Sequence, residues 1–243
     1  MKMNDILSIC ITNKNRSKVE WDYIASPLTL LPDCITSIGN GFSIRDKVEI
    51  IITDWASDDW PLAEWMPDHC INPYKVVNID KAGFSRGYGI NEAVKHARGD
   101  TIFVMDADMI LTSRFIVGVG MQIAASGGAY FPIPKYFTDQ HGEYMFGGGL
   151  GNMILSKDLF YRAGKLPEYW RYGFEDTDFY KTLETMGVNI ASRPEETFIH
   201  PWHPQDLSFK EQYIDDDPRH DAQIEQRVQV YKAMRDENEN SKI

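Results

Sequence analysis

Four short apolar runs recur through the first half of this chain, and three of them stop at once on polar side chains. Ile6-Leu7-Ser8-Ile9-Cys10-Ile11-Thr12 leads into Asn13, Val48-Glu49-Ile50-Ile51-Ile52-Thr53 into Asp54, and Thr101-Ile102-Phe103-Val104-Met105 into Asp106-Ala107-Asp108. The other is Lys75-Val76-Val77-Asn78-Ile79. Runs this short, rich in β-branched residues and apolar almost throughout, predict strands buried on both faces. Between them the spacing turns helical, through Leu28, Leu31, Ile35 and Ile38 up to Gly39-Asn40-Gly41, and from Ser85 to His96 with Ile90, Ala93, Val94 and Ala97 on one side. The alternation predicts an α/β domain with a mixed, mostly parallel central sheet flanked by helices. Ligands of such sheets bind beyond the carboxyl ends of the strands, which is where the polar residues converge.

Past Ser113 the pattern predicts a helix to about Ala125, pocket-shaping loops from Gly127 to Gly151, helices over Asp158–Ala163 and Asp176–Met186, and a last strand Thr197–Ile199 running into His200. Residues 1–217 read as one domain with halves 1–112 and 113–217, followed by a charged helix or tail over 218–243. With 243 residues, 43% of them hydrophobic, one substantial core is the expectation. A net charge of -11 leaves too little basic surface for duplex nucleic acid, so no nucleic-acid partner is expected. Three cysteines without metal-type spacing fit a reducing compartment. Without a run of about 20 apolar residues, the expectation is a cytoplasmic protein whose membrane contact is at most peripheral, at the inner face.

Asp106 and Asp108, at the edge of a sheet, suit Mn²⁺ or Mg²⁺, which hold open positions for substrate phosphates. The structural alternative is a turn or helix cap. Glu175, Asp176 and Asp178 crowd the start of an amphipathic helix; capping explains one such acid, while a pair facing a pocket suits a general base beside a sugar contact. His200 and His203 flank Pro201-Trp202, and either is a candidate further metal ligand. Asp54 is placed to accept from a nucleobase N–H or to form a turn with Ser57-Asp58-Asp59. Arg86 suits a diphosphate by its charge and fork geometry. Gly147-Gly148-Gly149-Leu150-Gly151 lacks the Gly-Lys-Ser/Thr ending of a P-loop and fits a close approach of backbone to ligand. Trp170 and Tyr172 are candidate stacking faces for a sugar.

Taken in order, Ser8 to Arg16, Ile52 to Asp59, Gly83 to Asn91, Met105-Asp106-Ala107-Asp108 and Trp170 to Asp178 resemble the nucleotide-diphospho-sugar transferases of the GT-A fold. The first half is similar to family 2 glycosyltransferases, and the second to galactosyltransferases and N-acetylgalactosaminyltransferases. The resemblance implies donor contacts at Thr12, Asn13, Arg16, Asp54, Arg86, Asn91 and Asp106, and metal ligands among Asp106, Asp108, His200 and His203. It also implies acceptor or sugar contacts at Gly148, Gly149, Trp170, Tyr172 and Glu175, with Asp176 as base. Phe174 departs from the pattern, standing where those enzymes often carry a second glycine. The implied reaction is metal-dependent transfer from a UDP-sugar to a glycan or glycolipid in polysaccharide biosynthesis, with inversion. The alternatives are a retaining transferase, a nucleotidyltransferase and a non-catalytic nucleotide-sugar-binding protein.

Overall fold

The computed structural model describes residues 6–20, 26–42, 47–147, 150–170 and 173–203. The charged tail from Pro218, together with Gly148, Gly149 and Tyr172, lies outside them. A mixed sheet runs through the whole fold. Its first half is parallel, with β1 (Leu7–Asn13) at the centre, β2 (Val48–Asp54) and β3 (Tyr74–Asn78) to one side and β4 (Thr101–Val104) to the other. The register sets Asn13 opposite Asp54 and Asp54 opposite Asn78, so the carboxyl ends form one edge.

Alternation along these strands explains the two helical layers. Ile9, Ile11, Ile50, Ile52, Phe103 and Met105 face α1 (Leu30–Gly41), α2 (Leu62–His69) and α4 (Phe115–Ala125) through Leu31, Ile35, Trp65 and Ile116. Cys10, Ile51, Ile102 and Val104 face α3 (Arg86–His96), α5 (Lys157–Arg162) and α6 (Glu175–Thr185) through Ile90, Val94, Leu159 and Phe179. Both faces are therefore buried, which is why the strands read as continuous apolar runs.

The second half departs from the expectation of loops. Residues 127–151 contain β6 (Ala129–Phe137) and β7 (Tyr144–Phe146), a hairpin, and β8 (Met153–Ser156) then pairs antiparallel with both β4 and β6. The last strand, β9 (Ile190–His200), is longer than Thr197–Ile199 and runs parallel to β6. Pro132 and Pro134 sit inside β6 without breaking it. The carbonyl of Pro134 accepts from Gly147 N at 3.3 Å, so its missing N–H falls on the β7 side and removes no rung with β9.

Beyond a register shift between Pro134 and Lys135, the end of β9 stays opposite Lys135 and Tyr136 and pairs on its other side with β5 (Ile110–Leu111), Ile110 opposite Ile199 and Leu111 opposite Phe198. That pairing carries His200 to the loop holding Asp108. Among the described residues no helix is long and apolar enough to cross a membrane.

Candidate active site

Asp108 meets both histidines. Its Oδ2 lies 3.8 Å from His200 Nε2 and 3.4 Å from His203 Nε2, and one ligand atom from each of the three residues falls within 4.8 Å of the others. Burial pushes the Asp108 carboxyl up, but His203, His200 and Arg16 outweigh it and hold it well below the ordinary range. Burial pushes the His200 imidazole down, against the pull of Asp108. A carboxylate beside two imidazoles, one of them favoured neutral, is a donor set that fits a divalent cation such as Mn²⁺. Among the described residues, His200 Nδ1 is buried without a hydrogen-bond partner.

Asp106 is placed differently from the expectation of a metal ligand. Its Oδ1 accepts from Arg86 Nε at 2.9 Å and Nη2 at 2.6 Å, and its Oδ2 accepts from Asn152 Nδ2 at 2.9 Å. Asn152 Oδ1 in turn accepts from Asp106 N at 2.9 Å. Arg86 also reaches Gly151 O at 2.6 Å and Glu175 Oε1 at 3.4 Å, so four of the roughly five guanidinium N–H groups are engaged inside the protein.

Glu175 is buried at the start of α6, and burial pushes its carboxyl up while Arg86 pulls it down. The charges of Asp176 and Asp106 both reach it and push in the same direction as burial. Asp176, half-buried, takes Thr177 N at 2.6 Å and Thr177 Oγ1 at 3.2 Å on one oxygen. The acids after β4 and at the start of α6 thus gather around one arginine.

Other expected contacts are occupied by the fold. Asp54 is buried, its Oδ1 accepting from Asn13 Nδ2 at 2.8 Å and Ser57 Oγ at 2.6 Å, which realises the turn with Ser57. Asn15 exchanges side-chain and backbone hydrogen bonds with Asp58, tying the loop after β1 to the loop after β2. Thr12 Oγ1 accepts from Trp55 Nε1 at 3.0 Å. The Asn91 amide donates to Leu166 O at 2.9 Å and Glu168 Oε1 at 3.0 Å and accepts from Leu166 N at 3.1 Å, a clamp on the loop before α6. Trp170 is buried, edge-on to Trp55 at 5.9 Å and beside Tyr88 at 6.0 Å, so it is core and not an open sugar platform.

Asn152 and Tyr136 were absent from the sequence-based candidates. The one signal for Asn152 was its place directly after the glycine run. Tyr136 carried none, because only the pairing of β6 with β9 sets it opposite His200.

The mixed sheet, with acids and histidines gathered on its carboxyl edge, is of the GT-A class. The chain belongs to glycosyl transferase family 2, whose model matches residues 8–144, more than half of its length. Among solved structures it is similar to the mannosyltransferase PcManGT from Pyrobaculum calidifontis in complex with GDP-Man and Mn²⁺ (TM-score 0.58, 18% identity, covering 83% of this chain and 58% of that one). It is also similar to S. aureus TarS 1–349 in complex with UDP-GlcNAc (TM-score 0.62, 14% identity, covering 83% of this chain and 60% of that one). The chain spans less than two thirds of each of these proteins. No curated protein matches the sequence.

Proposed function

We propose that this chain transfers a hexosyl or N-acetylhexosaminyl unit from a UDP-sugar to a hydroxyl of a glycan or glycolipid acceptor, with residues 1–112 serving the donor and 113–217 the acceptor. The observation that carries the reading is the convergence of Asp108, His200 and His203 on the carboxyl edge of a family 2 sheet. Both neighbours were solved with a nucleotide diphospho-sugar, one of them with Mn²⁺ as well, which supports a donor of this chemistry.

Asp108, His200 and His203 would hold Mn²⁺ in preference to Mg²⁺, because imidazole nitrogen suits the softer ion. Bound there, the ion would supply positive charge to the diphosphate leaving group. Asp176 takes the proton of the acceptor hydroxyl as its oxygen bonds to the anomeric carbon. The bond from that carbon to the diphosphate oxygen breaks, its electron pair leaves with the nucleotide diphosphate, and configuration inverts. Glu175, held beside Asp176 by burial and Arg86, is the group that contacts the sugar.

Calorimetry with a panel of UDP- and GDP-sugars, in Mn²⁺ and in chelator, tests the reading. One nucleotide sugar is expected to bind wild type only with the ion, and to lose that binding in Asp108→Ala. A folded protein that binds none of them under either condition is no nucleotide-sugar enzyme.

A further inference from the structure

Three segments distant in sequence meet on the first residue of α3. Arg86, its side chain 16% exposed, touches Asp106 after β4, the carbonyl of Gly151 before β8 and Glu175 at the start of α6. Gly151 makes this approach possible: a Cβ there would lie 2.9 Å from Arg86 Nη2 and 3.0 Å from Asp106 Oδ2. Asn152 closes the other side, gripping Asp106 through both its backbone N–H and its carboxylate.

From this joint we infer that Arg86 and Asn152 are positioning residues that set the donor-side carboxylate Asp106 against the acceptor-side carboxylate Glu175, and that Arg86 does not grip the donor diphosphate. The inference rests on the sugar-transfer reading and names how its two halves are held in register. A buried guanidinium persists only when paired, and its removal leaves Asp106 and Glu175 facing each other uncompensated. The start of α6, with Asp176, then loses its fixed distance to the loop after β4. Asn152 supplies no charge, so its loss loosens Asp106 and the backbone turn leading to Asp108 without unbalancing the joint.

The test compares Arg86→Lys and Asn152→Ala with wild type. Affinity for UDP and for GDP with Mn²⁺ is measured beside kcat and KM for release of nucleotide from the donor sugar that binds. A misplacement of about 1 Å can cost about 100-fold in rate. Arg86→Lys is therefore expected to lower kcat by about that factor while nucleotide affinity stays within about threefold, far less than the roughly 10- to 100-fold that loss of a charged hydrogen bond to phosphate would give. Asn152→Ala should lower kcat by about tenfold with affinity retained, being the milder misplacement.

Nucleotide affinity falling tenfold or more in Arg86→Lys overturns the inference and returns the residue to the diphosphate. Unchanged kcat in both single variants leaves the joint without a catalytic consequence and overturns it equally. Wild type that binds neither nucleotide removes the transfer reading itself, an outcome separate from these two. Asn152→Ala keeps the test open should Arg86→Lys not fold.

Discussion

Tyr136 lies flat against His200, ring centroids 4.4 Å apart and planes 19° from parallel, and strand pairing sets the two directly opposite each other. The stack fixes the plane of the imidazole, so Nε2 points toward Asp108 without a search over ring rotations. Stacked aromatic pairs are worth about 0.5–1.5 kcal/mol, which corresponds to roughly 2- to 12-fold in a binding constant. Tyr136→Ala is therefore expected to weaken Mn²⁺ binding by a factor in that range, while Tyr136→Phe, which keeps the ring, stays within error of wild type. Mn²⁺ titration followed by calorimetry reads both. An alanine variant that binds the ion as tightly as wild type would show that β9 alone orients His200.

Glu49 illustrates a carboxylate used for stability at the opposite edge of the sheet. Burial pushes its carboxyl up, but Ser8 Oγ at 2.6 Å, Arg98 N at 2.6 Å and Arg98 Nε at 2.7 Å outweigh it and hold the group below its ordinary 4.5. A carboxyl depressed in the folded state adds stability that is present above the unfolded value and lost as pH falls through the folded one. Glu49→Gln is expected to cost about 1–2 kcal/mol at pH 7, discounted because Arg98 is largely exposed, and about 2–8 °C in melting temperature for a chain of this size. The gap between variant and wild type should close as the melt is repeated from pH 5 toward pH 3. A gap of constant size across that range would assign the loss to packing instead of charge.

Legibility followed locality. β1, β2 and β4 could be read because burial on both faces leaves an unbroken apolar signature, and the register of parallel strands then delivers Asp54, Asp106 and Asp108 to one edge. β6 was hidden because Pro132 and Pro134 carry the same letters as a loop, and nothing local says that the missing N–H of Pro134 points away from β9. α2 is short and contains Pro67, which masked a helix that buries Leu62, Trp65 and Met66. Within the site, the acids and histidines announced themselves by residue type. Their partners did not, because whether Arg86 faces a ligand or Asp106 depends on contacts across 20 and 89 positions of sequence.

Two glycines in helices should respond to alanine in opposite ways. A Cβ on Gly87 would lie 1.9 Å from the backbone oxygen of Pro167, and backbone cannot step aside as a side chain can. Gly87→Ala is expected to cost about 1–3 kcal/mol through overpacking. On Gly118, within α4, a Cβ meets nothing within 4 Å, so alanine there should add about 0.5–1 kcal/mol from helix propensity. Denaturant melts of the two variants beside wild type give both signs at once, and a Gly118→Ala variant that melts earlier would mean that this face of α4 is covered in solution.

Phe174 stands at φ 77°, directly after Gly173 at φ 88°, so two successive left-handed residues turn the chain into α6. The residue is 54% exposed. A Cβ-bearing residue pays about 1–2 kcal/mol for that conformation. Glycine removes that strain but gives back about 0.4–1 kcal/mol by loosening the unfolded chain, leaving a small net gain. Phe174→Gly should therefore melt at or slightly above wild type. Phe174→Val, β-branched and poorest at positive φ, should melt lower by several degrees. If the glycine variant instead melts well below wild type, the ring itself holds the turn through its contacts, and the conformation of this segment, which carries Glu175 and Asp176 into the site, is set by a side chain and not by the backbone.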